Sequence, residues 1–210
     1  MLTFGPVPSR RLGRSIGINN IPPKVCSYSC IYCQVGRTHR KQIKRRAFFK
    51  SQQIFQQVKK RIAETDATGE SIDYLTFVPD GEPTLDTNIG NSINLLKPLG
   101  IGIAVITNAS LISRDDVKSD LMKADWVSIK IDSARERGWR KINRPHRELG
   151  FNRILNGILE FSKMFKGTLV TETMLVGCNA KGRNLLSETA GFIKLLNPAT
   201  AYLSIPTRPT

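Results

Sequence analysis

The sequence predicts an α/β fold of repeated βα units on a parallel sheet. Two observations predict it. From residue 50 onward, short β-branched runs alternate with amphipathic stretches, and the polar, non-periodic residues collect just after the strand runs. At 210 residues the chain suits one domain, and it is short for a closed eight-stranded barrel of about 250 residues.

Six strands are predicted: Ser15 to Asn19, Ile72 to Val78, Gly102 to Thr107, Trp126 to Asp132, Thr168 to Val176 and Ala201 to Ile205. Each is a short run bounded by turn-forming residues. Between them, helical periodicity marks Ser51 to Glu64, Thr87 to Lys97, Ser113 to Lys123, Leu149 to Phe165 and Asn184 to Leu196. Ser113 is a cap before its helix, and Pro98 follows the end of another. The chain ends soon after the sixth strand, so the expected barrel lacks its last helix and any C-terminal substrate domain.

Composition narrows the function. The hydrophobic fraction is 40% and the charged fraction 23%, ordinary for a globular domain. No segment approaches the roughly 18 apolar residues of a membrane span, and the N-terminus has no signal-peptide pattern. A cytoplasmic protein with no membrane partner is expected, in a compartment where thiols stay reduced. The net charge is +15. Arg37, Arg40, Lys41, Lys44, Arg45, Arg46 and Lys50 form an acid-free run, which suits RNA or another anionic substrate; a solvated surface that aids solubility is the alternative.

Three of the four cysteines, Cys26, Cys30 and Cys33, fall within eight residues. That clustering points to a metal or redox site rather than to a disulfide framework. The C-x3-C-x2-C spacing wraps three thiolates around one small cluster. A 4Fe-4S cube has four irons, so three cysteines leave one iron open to an exchangeable ligand, whereas clusters that only shuttle electrons take four cysteines. The competing arrangement is a zinc site of the three cysteines with His39, serving a non-catalytic nucleic-acid-binding module. A redox pair of Cys30 and Cys33 leaves Cys26 without a role.

Other motifs fall at strand ends, where α/β folds place function. Gly81, Glu82 and Pro83 form a turn after the second strand, and Asn108 follows the third. On the fourth strand Ser128, Lys130 and Asp132 share one face and Val127, Ile129 and Ile131 the other. Polar residues on the inner face of a buried sheet need partners, which a bound ligand or an ion pair provides. Arg208 is a candidate anion-binding residue, and Cys178 is unassigned.

The motif Cys26-x3-Cys30-x-Tyr32-Cys33, with the segments FGPVPSRRLGRSIGIN, PDGEPTL, TNAS and LSIPTRP, resembles the radical SAM (S-adenosylmethionine) superfamily. Within it the chain is similar to the Fe-S oxidoreductase group related to the wyosine-synthesising tRNA enzymes, although no cysteine precedes Cys26 where those enzymes carry a second cluster. The resemblance implies a partial parallel (βα)6 barrel and two cofactors, a 4Fe-4S cluster on Cys26, Cys30 and Cys33, and SAM on its open iron. It further implies an external electron donor of flavodoxin or ferredoxin type. By the same resemblance Tyr32 lies against the adenine, and Gly81, Glu82 and Pro83 contact the SAM amino group. Asn108 lies near the methionine end, Lys130 meets the carboxylate, Asp132 the ribose, and Val176 and Ile205 the adenine.

Overall fold

The computed structural model describes residues 1–177 and 183–206; Cys178 and Arg208 lie outside them. One seven-stranded sheet runs in sequence order: β1 (Thr3–Ser9), β2 (Gly13–Ile18), β3 (Tyr74–Phe77), β4 (Gly102–Thr107), β5 (Trp126–Lys130), β6 (Thr168–Met174) and β7 (Thr200–Ser204). β2 to β7 are parallel neighbours, and β1 pairs antiparallel with β2. The sheet curls into a half-barrel. Its helices are α1 (Ser51–Asp66), α2 (Ile89–Leu96), α3 (Asp115–Leu121), α4 (Glu136–Asn143), α5 (Phe151–Met164) and α6 (Arg183–Leu196).

The six expected strands are β2 to β7; β3, β5 and β6 are two or three residues shorter than the sequence pattern suggests, and β2 begins two residues earlier. β1 is not predicted from sequence, because Gly5, Pro6 and Pro8 interrupt it. Proline lacks an N–H and is tolerated on an edge strand, which is where β1 lies, with an irregular register between Phe4 and Val7. Its Phe4 ring covers Gly17 of β2, where a Cβ would come within 2.1 Å of the ring. α4 is also unforeseen: its eight residues include four charged ones, too short and polar a window for a helical stripe to stand out.

Strand alternation sorts side chains into two layers. Outward residues such as Ile16, Leu75, Phe77, Val105, Val127 and Ile129 are buried against the helices. α1 meets them with Ile54 and Val58, and α5 with Ile154, Ile158 and Phe161, at the i, i+4 and i, i+3 spacings of one helix face. Each fully buried side chain of this size contributes about 2 kcal/mol. Inward residues form a second, smaller apolar cluster of Leu12, Ala104, Trp126 and Val170, flanked by Tyr74, Ile106 and Tyr202. This apolar plug lies on the inner side of the sheet, below the loops after β2 to β5.

Above the plug lies an ion-pair network. Glu172 of β6 accepts from Arg11 at 2.6 Å and from the Ser204 hydroxyl at 2.8 Å, and pairs with Lys130 at 3.1 Å. Burial alone would raise the Glu172 carboxyl, but the two cations and the hydroxyl hold it down to about 2. Arg11 also stacks on Tyr202, 4.5 Å from the ring centre.

Candidate cysteine-cluster site

The loop after β2 is fixed along its length. Ser29 N–H donates to the Asn143 carbonyl (3.0 Å) and Ile31 N–H to that of Ile142 (2.9 Å), while the Ser27 carbonyl accepts from His146 N–H (2.9 Å). The stretch from Ser27 to Ile31, which carries Cys30, is therefore held against the C-terminal end of α4. Cys33 N–H donates back to the Cys30 carbonyl at 3.1 Å, and Gly36 N–H to that of Cys33 at 2.8 Å. Tight local turns of this kind are what a two-residue spacing between ligands requires.

All three thiols line one cavity of ≈ 210 Å³. Tyr32, Gly81, Glu82, Asn108 and Lys130 line it too, with Lys24 and Thr107. Five of the nine expected cofactor residues are thus brought together. Pro83 is buried in the turn beneath, Asp132 lies behind Tyr32, Val176 is half-buried past β6, and Ile205 is 66% exposed past β7; these four do not line the cavity.

Glu82 fastens two strand ends together. One carboxylate oxygen accepts from Thr84 N–H (3.1 Å) and from the hydroxyls of Thr84 and Thr107 (both 2.6 Å), and the other accepts from Asn108 N–H at 2.7 Å. Complete burial raises its pKa while these donors oppose the rise. Gly81 is dictated by close approach: a Cβ there would lie 2.2 Å from the Val25 carbonyl oxygen, which accepts from Glu82 N–H at 3.0 Å. Asn108 donates to Cys26 Sγ at 3.6 Å and to Ser27 at 3.0 Å.

Asp132, 3% exposed, accepts from the Tyr32 hydroxyl, from Asn143 at 2.6 Å and from Met174 N–H at 2.8 Å. Burial raises its pKa, and Lys130 leads the opposing influences. Lys130 also sits over the Tyr32 ring, 4.9 Å from its centre. The strand-face reading for Ser128, Lys130 and Asp132 fits this arrangement, and Lys130 finds its carboxylate partner in Glu172. Sequence reasoning missed Asn143, which donates to both Cys30 Sγ (3.4 Å) and Asp132; a polar residue at the end of an unforeseen helix gave no local signal.

The donor set fits an iron-sulfur cluster. Burial, then the Glu82 carboxylate, push the Cys26 thiol up to about 12, and burial pushes Cys30 up to about 11. Both remain neutral thiols until a metal cation draws off the proton. Amide donors already point at Sγ of Cys26 and Cys30, the contacts that tune a cluster. Among the described residues no group of three or more His, Cys, Asp or Glu is close enough to hold a single metal ion, and His39 is exposed. His39 is not among the residues that line the cavity of the three thiols.

The basic run is divided. Arg45 is almost fully buried, with a side chain 4% exposed that bonds Asp116, Asp120 and the carbonyls of Thr84 and Asp86. Lys41 donates to the carbonyls of Arg144 and Pro145. Arg37, Arg40, Lys44, Arg46 and Lys50 keep at least part of their side chains open to solvent. Arg40, Lys41, Lys44 and Arg46, with His146 and one acid, Glu148, surround a surface cavity of ≈ 630 Å³.

The curled, mostly parallel sheet thus gathers three thiols around one cavity in the loop after its second strand. The family model described as the radical SAM superfamily matches residues 20–181, and the chain belongs to that superfamily. It is 51% identical over 208 residues to a UPF0026 protein of Methanocaldococcus jannaschii, covering 99% of this chain and 64% of that protein. Among solved structures, TYW1 with a lysine-pyruvate adduct bound superimposes with a TM-score of 0.69 at 20% identity, over 93% of this chain and 65% of that one. Native anSMEcpe with bound AdoMet gives 0.67 at 16%, over 93% and 52%. The chain thus spans just under two thirds of its M. jannaschii relative. Members of that superfamily use a 4Fe-4S cluster and SAM and need an external reductant. Among the described residues no helix is long and apolar enough to cross a membrane.

Proposed function

We propose that Cys26, Cys30 and Cys33 carry the 4Fe-4S cluster and leave its fourth iron for SAM, with residues 1–210 forming one radical SAM domain. When bound, the cluster supplies the electron that splits SAM into methionine and a 5'-deoxyadenosyl radical, which abstracts hydrogen from the substrate. The observation that carries this reading is the convergence of three thiols with Tyr32, Gly81, Glu82, Asn108 and Lys130 on one cavity.

The chain's own residues divide the work. Glu82 ties the turn after β3 to Thr107 and Asn108, presenting the Gly81-Pro83 backbone to the SAM amino group. Asn108 orients the Cys26 sulfur and faces the methionine end. Asp132 holds the Tyr32 ring upright for the adenine and offers a carboxylate toward the ribose, while Lys130 serves the carboxylate end; Val176 and Ile205 complete the adenine side. The Leu12-Trp126 plug closes the barrel floor against water and solvent thiols, which would quench a primary radical. We assign the exposed basic surface to RNA or another anionic substrate, the electron supply to a flavodoxin- or ferredoxin-type donor, and the protein to the cytoplasm.

The test is SAM cleavage without substrate. The dithionite-reduced, anaerobically prepared protein is expected to release 5'-deoxyadenosine, and Cys30→Ala to abolish the release. Undiminished release from Cys30→Ala would remove Cys30 from the ligand set.

A further inference from the structure

The cavity wall carries two lysines, and they differ. Lys130 is paired with Glu172 at 3.1 Å. Lys24 also lines the cavity, its Nζ is buried, and among the described residues that nitrogen has no hydrogen-bond partner. An ammonium held out of water without a partner is costly, so its position calls for an anion.

The backbone fixes that position. Lys24 adopts a left-handed φ of 65°, unfavourable for a residue with a Cβ and a form of strain that concentrates at functional sites. Its N–H donates to the Asp80 carbonyl at 2.8 Å, and the next residue accepts from Glu82 N–H at 3.0 Å. Lys24 is thereby clamped to the turn after β3 while its Nζ reaches the turn after Cys33, 3.5 Å from where a Gly36 Cβ would stand. The residue thus bridges the two loops that bound the cavity, with its charge at the turn after Cys33.

We propose that Lys24 is an anion-binding residue of the cofactor cavity, neutralising negative charge there through a charge-assisted hydrogen bond. The inference rests on the cluster assignment above. Two sources supply that chemistry, the thiolate-ligated cluster itself and the SAM carboxylate, and each gives a distinct readout.

The experiment compares anaerobically reconstituted wild type, Lys24→Met and Lys24→Arg for iron and sulfide content, cluster midpoint potential without SAM, and SAM affinity by equilibrium dialysis. If the partner is the carboxylate, Lys24→Met weakens SAM binding about tenfold or more, the scale of a missing charged hydrogen bond. If the partner is the cluster, its potential moves to more negative values, because removing a cation disfavours the added electron. Lys24→Arg retains the wild-type property in either case. Lys24→Met failing to take up the cluster while Lys24→Arg does so also supports the proposal. A cluster-loaded Lys24→Met with wild-type potential and wild-type SAM affinity overturns it and leaves the cluster assignment standing. So does failure of both variants to load, since arginine keeps the charge. A wild type that takes up no cluster overturns the assignment and this inference together.

Discussion

Glu172→Gln probes the support beneath the cavity. The carboxylate joins Arg11 from the β1–β2 turn, Lys130 from β5 and Ser204 from β7, so it ties the first strands to the last across the half-barrel. Its pKa falls from 4.5 to about 2 despite burial. At about 1.4 kcal/mol per pH unit, that difference favours the folded state by about 3 kcal/mol. Because the folded value lies below the unfolded one, this stability is fully present above pH 4.5 and fades as pH falls toward 2. Glutamine removes it and leaves two partly buried cations without their shared anion. Urea denaturation followed by circular dichroism is expected to show the variant about 3 kcal/mol less stable at pH 7, with the gap closing as both proteins are taken toward pH 3. Parallel stability curves from pH 7 to pH 3, or a loss below about 0.5 kcal/mol at neutral pH, would refute the reasoning, because a network this weak falls within the range of an exposed pair.

Gly81→Ala drives a methyl to 2.2 Å from the Val25 carbonyl and breaks its bond with Glu82 N–H. Overpacking and the broken hydrogen bond together cost about 3 kcal/mol, read as a lowered thermal midpoint with impaired cluster uptake; a wild-type midpoint would contradict the close approach. Reversing the charges of Arg37, Arg40 and Lys44 is expected to flatten the salt dependence of RNA binding. The slope of log affinity against log salt should fall in magnitude by about 0.7 for each single-strand phosphate that these side chains no longer neutralise. An unchanged slope would assign those residues to solvation alone.

Much of the fold was legible because parallel strands buried on both faces read as short β-branched runs, as in β4 (GIAVIT) and β5 (WVSIK). The thiol loop was legible because three ligands fall within eight residues. What sequence could not show were partners distant in the chain. Asn143 reaches Cys30 across 113 residues, Arg11 reaches Glu172 across 161, and neither carries a local pattern. Arg45 belongs by composition to the basic run, yet its position between Thr84, Asp86, Asp116 and Asp120 makes it a structural clamp. Lys24 is inconspicuous for the same reason: a lysine beside a cysteine motif reads as surface charge until its burial is known.

A cluster held by Cys26, Cys30 and Cys33 leaves Cys178 as the remaining cysteine that would supply a fourth ligand. Iron, sulfide and zinc analysis of anaerobically purified wild type, Cys178→Ala and Cys26→Ala tests the three-cysteine ligation most directly. About four irons and four sulfides per chain are expected in the first two proteins, with loss of both in Cys26→Ala. Stoichiometric zinc without sulfide, or a cluster that disappears with Cys178, would contradict that ligation.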